Sequence, residues 1–266
     1  PNYSILFNML GAVLTNQNQL DKAMENYKKA VKINPNYAQA YNNLGTAFHK
    51  LNRINDAIDN YKKAIGLKND FAEAFNNLGN AIRDLNKPKD ALQYFEKAIK
   101  FKSNYAEAYN SLGAAYEDFG NKEKALVNYQ KAIKIKPDYV DAYNNLGVVF
   151  NDLGRFDESS LYYNKAITLN PNYEKSYNNL GNLLNNLGKF DEANVAYNQA
   201  IEIKSDYAKA YSNLLFNMNY KTDFVLDLYL SESRKFRINC KPKKKISFKN
   251  RYEKKPKKLK IGFVSA

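Results

Sequence analysis

The stretch of sequence that decides the fold is AQAYNNLGTAFHKLNRINDAIDNYKKAIGLKNDF, residues 38–71. Apolar residues recur at intervals of three and four over residues 38–51 and again over residues 54–67, which is the spacing of one face of an α-helix. Asn52 and Arg53 interrupt the pattern between the two stretches. The segment therefore predicts a hairpin of two helices.

The same pattern returns every 34 residues along the chain. Each unit has a Leu-Gly pair, an aromatic residue four positions before the glycine and an alanine or serine twelve positions after it. The glycines are Gly11, Gly45, Gly79, Gly113, Gly147 and Gly181. We expect the glycine and the small residue to let the two helices approach, with aromatic side chains filling the gaps. A fixed period of this length predicts stacked hairpins.

These residues resemble the tetratricopeptide repeat. The resemblance implies an all-α fold in which the repeats form a right-handed superhelix, or α-solenoid. Within a repeat region of residues 1–219, the predicted full units are 4–37, 38–71, 72–105, 106–139, 140–173 and 174–207. Residues 1–3 match the end of an earlier unit and residues 208–218 match the first helix of a later one. We therefore expect the array to be longer at its start.

The composition changes twice after the repeats. Residues 220–237 contain closely spaced apolar residues, with Thr222 or Asp223 able to cap a helix, and predict a helix that closes the array. Residues 238–258 are rich in Lys, Pro and Asn, which is the composition of a basic linker. Residues 259–266, LKIGFVSA, predict the first strand of a truncated α/β domain.

Composition also limits the classes of function. The chain has one cysteine, Cys240, and one histidine, His49, so neither an internal disulfide nor a zinc site is expected. We find no pattern of nucleophile and base and no glycine-rich phosphate loop, and expect no catalytic residue, metal or cofactor within this chain. No run of about 18 apolar residues is present. We expect a cytoplasmic protein with no membrane partner.

The formal net charge of +14 is distributed unevenly. Residues 221–266 carry 15 Lys or Arg and 4 Asp or Glu, whereas residues 1–220 carry 26 and 23. The positive excess therefore belongs to the linker region, which could attract a phosphate backbone or an anionic surface. Because no aromatic residues are interleaved at a stacking spacing, the sequence favours a solvated linker, and nucleic acid is not the expected partner.

A row of asparagines is the candidate binding site. The position immediately before the repeated leucine holds Asn in five units, whereas Met9 and Ser111 depart from the pattern. The row consists of Asn43, Asn77, Asn145, Asn179 and Asn213. Because an Asn side chain offers both a carbonyl acceptor and an amide donor, the row can pair with the backbone of an extended peptide. The alternative is that it bridges adjacent repeats.

The end of the array carries a narrower resemblance. Residues 210–236, AYSNLLFNMNYKTDFVLDLYLSESRKF, followed by the basic segment and KKLKIGFVSA, are similar to the junction in bacterial O-linked N-acetylglucosamine transferase-like and Spindly-type glycosyltransferases. The resemblance implies that the superhelix holds extended segments of acceptor proteins through the asparagine row. It further implies that the complete protein transfers N-acetylglucosamine from UDP to Ser or Thr, with fucose from GDP as the sister possibility.

In that family the UDP-sugar donor and the catalytic residues belong to the glycosyltransferase domain, and those residues have no counterpart in this chain. The alternative function is a non-enzymatic scaffold or adaptor that binds peptides and has a basic tail.

Overall fold

A computed structural model describes residues 3–219 and 226–240, and the regular structure within these ranges is entirely α-helical. The helices are α1 Tyr3–Asn16, α2 Leu20–Ile33, α3 Ala38–Lys50, α4 Ile54–Leu67, α5 Ala72–Asp84, α6 Pro88–Phe101, α7 Ala106–Asp118, α8 Lys122–Ile135, α9 Val140–Asp152, α10 Phe156–Leu169, α11 Glu174–Asn186, α12 Phe190–Ile203, α13 Ala208–Met218 and α14 Leu226–Asn239. The all-α prediction is confirmed. The linker after residue 240 and the strand at residues 259–266 lie outside the described residues.

The repeated glycine sets the distance between the two helices of each hairpin. A Cβ atom added at Gly79 on α5 would lie 2.6 Å from Cε1 of Phe95 on α6, and Phe95 is fully buried. At Gly45 the corresponding distance to Tyr61 Cε1 is 2.7 Å. The aromatic ring thus lies directly on the glycine, and any side chain there would collide with it.

The turn inside each hairpin explains the interruption of the sequence pattern. Asn52, between α3 and α4, has a φ of 59°, and the equivalent Gly154 has a φ of 71°. The same left-handed conformation recurs at Asn18, Asn86, Gly120 and Gly188. Asn and Gly are the residues that adopt this conformation most readily, so the turn selects one or the other.

The stacking of the hairpins gives the array an inner and an outer layer. Consecutive odd-numbered helices contact one another, whereas consecutive even-numbered helices make no such contacts in the described part of the chain. The odd-numbered helices therefore lie closer together, on the concave side of the curved array, and the even-numbered helices lie on the convex side. Small residues at the packed positions allow this close approach. Those that are fully buried on odd-numbered helices include Ala40, Ala74, Ala108, Ala142 and Ala210.

The last hairpin differs from the others. Leu215 on α13 replaces the glycine, and α14 has no buried residue. Contacts to α13 include the tilted ring pair of Tyr211 and Phe236, 5.7 Å apart, and a hydrogen bond from Asn239 Nδ2 to the Tyr211 hydroxyl at 2.8 Å. Because α14 runs to Asn239, the first residues of the predicted linker are helical. The predicted capping residues 222 and 223 lie outside the described residues.

Candidate functional site

The five asparagines of the predicted row lie half-buried on the concave side, on α3, α5, α9, α11 and α13. The side-chain amide of each donates a hydrogen bond to the side-chain carbonyl of an asparagine 35 residues earlier, in the preceding repeat. The pairs are Asn43 to Asn8, Asn77 to Asn42, Asn145 to Asn110, Asn179 to Asn144 and Asn213 to Asn178, each at 3.0 Å. We call this series of pairs the asparagine ladder. The bridging interpretation of the row therefore has direct geometric support.

The ladder is interrupted between α5 and α7. Ser111 occupies the position that holds the donating asparagine in the neighbouring repeats, and the acceptor expected 35 residues earlier is Asn76. Asn76 is 6% exposed, and its Oδ1 atom accepts no hydrogen bond within the described part of the chain. The serine therefore leaves a buried carbonyl oxygen unsatisfied, an arrangement that costs free energy.

Bridging does not use all the hydrogen-bonding capacity of the row. An Asn amide has two N–H groups and a carbonyl oxygen, and one N–H suffices for the ladder. The Oδ1 atom of Asn77 accepts no hydrogen bond from any described residue. The Oδ1 atoms of Asn145 and Asn179 have only long contacts, at 3.5 and 3.4 Å, to the asparagine beside each. These central side chains are held in position and keep an acceptor.

The two ends of the row are more fully occupied. Asn43 Oδ1 accepts a hydrogen bond from Gln39 at 3.1 Å, and Asn213 also donates to Asn182 Oδ1 at 2.9 Å. A peptide that pairs with the row would thus find its free partners mainly at Asn77, Asn145 and Asn179. Contact of the row with a peptide stays a prediction.

Two pockets lie beside the ladder. A pocket of about 350 Å³ is lined by Asn110, Asn144 and Asn145 together with Tyr139 and Tyr173. A second pocket of about 680 Å³ lies further along the array, and its lining includes Asn178, Asn179, Asn182, Asn213, Lys175 and Tyr207. A segment lying along the ladder could therefore place side chains in pockets on the concave surface.

The charge on the concave surface was missed in the sequence analysis. Helices α5, α7 and α9 together contain seven carboxylates, one arginine and no lysine, and none of the seven carboxylate residues is classed as buried. We call these residues the acidic groove: Glu73, Asp84, Glu107, Glu117, Asp118, Asp141 and Asp152. The near balance of charge over residues 1–220 concealed this separation of charge between the inner and outer layers of helices. The signal was the return of a carboxylate every 34 residues at two helix positions.

Ion pairs link adjacent repeats along this surface, and one of them joins Lys122 Nζ on α8 to Asp152 Oδ2 on α9 at 3.9 Å. His49 Nε2 lies 2.7 Å from Asp84 Oδ2, and the histidine is half-buried beside this carboxylate. Arg83 Nε lies 3.4 Å from Asp118 Oδ2. In the next repeat Glu117 takes the place of the basic residue.

Burial raises the pKa of the Glu117 carboxyl, and the negative charges of Asp152 and Asp118 raise it further. The hydroxyl of Tyr129 donates to Glu117 Oε2 at 2.7 Å and opposes the shift, as does the charge of Arg83. Burial of the Tyr129 hydroxyl, and after it the charge of Glu117, raises the pKa of Tyr129 well above its usual value of 10.0. Glu117 is thus a poorly solvated carboxylate in the middle of the acidic groove.

Other kinds of site find little support in the described ranges. No described helix is both long and apolar enough to cross a membrane. No group of three His, Cys, Asp or Glu side chains in residues 3–219 and 226–240 is placed to hold a metal ion.

Comparison with family models gives matches along most of the chain. The model described as TPR repeat matches residues 11–52, 45–83, 79–120, 118–154 and 181–214. Two models described as tetratricopeptide repeat match residues 140–173 and 162–193. Among curated proteins, no sequence is significantly similar to this chain.

Solved structures with the same fold include three informative examples. A chain of the APC/C hetero-tetramer Cut9–Hcn1 has a TM-score of 0.75 and 17% identity; the match covers 82% of this chain and 43% of that one. MamA has a TM-score of 0.52 and 31% identity, over 63% of this chain and 91% of MamA. YrrB, described as a TPR protein with an unusual peptide-binding site, has a TM-score of 0.51 and 22% identity, over 70% of this chain and 96% of YrrB. The chain thus spans less than half of the Cut9–Hcn1 chain that it matches.

Proposed function

Since the chain belongs to the tetratricopeptide-repeat family, whose repeats form scaffolds for protein–protein interaction, we propose that its concave surface binds extended segments of other proteins through the asparagine row. The observation that carries the proposal is the asparagine ladder. It fixes the orientation of each row side chain and leaves the carbonyl oxygen of Asn77 free. The peptide-binding site named for YrrB is consistent with such a role for a fold of this kind.

Each contact would be weak on its own. A hydrogen bond between an Asn side chain and a peptide backbone contributes about 0.5–1.5 kcal/mol net. Because Asn77, Asn145 and Asn179 keep acceptors in three different repeats, a segment that spans them gains from each contact in turn. The affinity then depends on the length of the segment, and the row selects for extended backbone more than for side-chain sequence.

The test compares two triple variants of the full chain. The row variant is Asn77→Ala, Asn145→Ala and Asn179→Ala. The ladder variant replaces the three acceptors of the same pairs, Asn42→Ala, Asn110→Ala and Asn144→Ala. Both variants lose the same three bridges between repeats, and the ladder variant also loses the hydrogen bonds of Asn42 to Glu73 and of Ser176 to Asn144. Only the row variant loses the side chains that would contact the peptide.

The probe is a fluorescein-labelled peptide chosen by screening an unbiased peptide array against the wild-type chain. We expect the row variant to bind the probe at least about tenfold more weakly than the ladder variant, at equal helicity by circular dichroism. Equal affinity of the two variants would leave the row with a bridging role alone and would overturn the proposal. A wild-type chain that selects no peptide would do the same.

In a narrower form of the proposal, the bound segment is the acceptor of a protein O-glycosyltransferase. This form is supported by the resemblance of residues 208–266, of which residues 220–225 and 241–266 lie outside the described part. In the complete protein, the Ser or Thr hydroxyl oxygen would form a bond to the sugar's anomeric carbon and release its proton, as the bond to UDP breaks and UDP leaves. The chain's own contribution would be to hold the acceptor. Cytoplasmic location belongs to the same set of predictions.

Incubation of the complete protein with radiolabelled UDP-N-acetylglucosamine and a groove-binding peptide tests this form. Label transferred to Ser or Thr supports it. Transfer only from GDP-fucose would mean that GDP-fucose, and not UDP-N-acetylglucosamine, is the donor. If neither donor yields labelled peptide while the peptide still binds, the narrower form fails. The function is then that of a non-enzymatic scaffold with a basic tail.

A further inference from the structure

We propose that the acidic groove binds a segment rich in lysine and arginine contributed by a partner protein. The inference rests on the proposed function, because it specifies the chemistry of the extended segment that lies along the asparagine ladder. The three helices that form the groove carry seven carboxylates and one basic residue, Arg83. Four of the carboxylates form ion pairs, with His49, Arg83, Lys122 and Lys136, whereas Glu73, Glu117 and Asp141 have no ion pair within the described part of the chain. The chain as a whole carries +14, so this negative surface runs against the overall charge.

The carboxylates lie on both sides of the ladder. On α5, Glu73 precedes Asn77 by four residues and Asp84 follows it by seven, which places them about 6 and 10 Å from the ladder along the helix axis. On α7 and α9 the equivalent pairs are Glu107 with Asp118 and Asp141 with Asp152. A segment that follows the ladder therefore has carboxylates within reach of the lysine or arginine side chains on either edge of its backbone.

One pocket brings the charge and the ladder together. The pocket of about 350 Å³ is lined by three carboxylates, by two basic residues, by the ladder residue Asn145, and by Tyr173, whose hydroxyl donates to Asp141 Oδ1. The charged residues are Glu117, Asp118, Asp141, Arg83 and Lys175. A cationic side chain entering here would add to the positive charge of Arg83, which already acts on Glu117. A desolvated carboxylate gains more from such a partner than an exposed one does.

A second feature in the same helices calls for a hydrogen-bond donor. The buried Oδ1 atom of Asn76 on α5 lacks the donor that its equivalents receive, because Ser111 on α7 is too short to be one. The interruption of the ladder and the excess of negative charge thus coincide in α5 and α7.

Other ligands fit the groove less well. A bare metal ion would need several carboxylates around one point, and the described residues hold no such cluster. Phosphate groups and nucleic acid would be repelled by the seven carboxylates. The chain's own residues 241–258, with ten Lys or Arg and one Glu, have the matching charge and are the competing occupant.

The test uses the full chain and two fluorescein-labelled peptides, one of alternating lysine and serine and one of alternating glutamate and serine. The groove variant is Glu117→Gln, Asp141→Asn and Asp152→Asn, which keeps hydrogen-bond acceptors at all three positions. The matched control removes the same charge from the convex side, by Glu96→Gln, Glu123→Gln and Asp157→Asn on α6, α8 and α10. Both triple variants raise the net charge equally, so a general electrostatic effect would change them alike.

We expect the wild type to bind the lysine peptide at least about tenfold more tightly than the glutamate peptide at low ionic strength, despite its positive net charge. The groove variant should lose about tenfold for the lysine peptide, and the convex control should change by less than about threefold. Equal losses in both variants, or tighter binding of the glutamate peptide, would overturn the inference.

Two further outcomes separate this inference from others. If array-selected peptides bind through the asparagine row but show no enrichment in lysine or arginine, the proposed function stands and this inference fails. A variant with all Lys and Arg of residues 241–258 replaced by Gln identifies the occupant. If only that variant binds the lysine peptide, the chain's own basic segment fills the groove, and the assignment to a partner protein is overturned.

Discussion

Asn145 donates a hydrogen bond from its side-chain amide to the carbonyl oxygen of Asn110, 3.0 Å away in the preceding repeat. In the repeat before, Ser111 stands where Asn145 stands, and Asn76 has no donor. Two successive boundaries of nearly the same structure thus differ by one hydrogen bond. Comparison of these two boundaries therefore measures what one hydrogen bond of the ladder contributes to stability.

We predict that Ser111→Asn stabilises the array by about 1 kcal/mol, because it completes the ladder and satisfies a buried oxygen. The converse change, Asn145→Ser, should destabilise it by a similar amount. Thermal unfolding followed by circular dichroism measures both. A loss of stability in Ser111→Asn would mean that Asn76 already finds a partner in solution or that the site has no room for the amide.

The packing of Phe95 on Gly79 gives a second prediction. Gly79→Ala should destabilise the chain by about 1–3 kcal/mol, because the new Cβ would lie 2.6 Å from the buried ring. The control is Gly66→Ala on α4, where an added Cβ meets no atom within 4 Å. That change should stabilise by about 0.5–1 kcal/mol through helix propensity alone. Denaturant titration distinguishes opposite signs for the two substitutions.

The turns supply a third prediction. Gly154 has a φ of 71° and open space around the position of a Cβ, so only backbone conformation limits substitution there. Gly154→Asn should be tolerated, since Asn52 adopts the same conformation in another repeat. Gly154→Val should cost about 1–2 kcal/mol because a branched side chain disfavours the left-handed region. Equal melting temperatures for the two variants would contradict this account.

The raised pKa of Glu117 gives a fourth prediction, for the pH dependence of stability. The Glu117 carboxyl holds its proton more tightly in the folded state than in the unfolded state. Its contribution therefore lowers the free energy of unfolding as pH rises from 4.5, the ordinary pKa, through the raised pKa. Glu117→Gln removes this loss. Relative to the wild type, the variant should gain stability as pH rises through that window, and the difference should vanish below it.

Glu158 provides the control of opposite sign. Its pKa is lowered chiefly by hydrogen bonds from Arg155, so its contribution to stability is present above its ordinary pKa and is lost as pH falls. Glu158→Gln should therefore gain nothing as pH rises. Parallel melting curves for the two variants across the pH range would contradict the assignment for Glu117.

Much of the fold could be predicted from residues 38–71. The apolar spacing predicted helices at 38–51 and 54–67, and the structure has them at Ala38–Lys50 and Ile54–Leu67. This success has a physical reason, since each hairpin is stabilised by its own residues and those of its neighbours in sequence. The glycine was expected to face a small residue, and the structure adds that a ring lies directly on it.

The candidate site could be predicted only in part. The row was found because Asn77 and its equivalents return every 34 residues, but the ladder pairs positions 35 residues apart. That offset of one residue depends on how one repeat stacks on the next. The sequence of a single repeat does not show this stacking. For the same reason the surroundings of Glu117, set by Asp152 of the next repeat and Arg83 of the previous one, could not be read from the chain's total charge.

The contact between odd-numbered helices, and its absence between described even-numbered ones, makes the array respond differently to bending in its two directions. Tighter curvature would press together inner helices that are already packed, and close-packed interiors are hard to compress. Straightening instead brings the outer helices towards one another across space that they do not yet fill. The superhelix should therefore widen more easily than it narrows. Its concave channel can open to admit a thicker ligand, whereas the packed alanines of the inner helices set its smallest diameter.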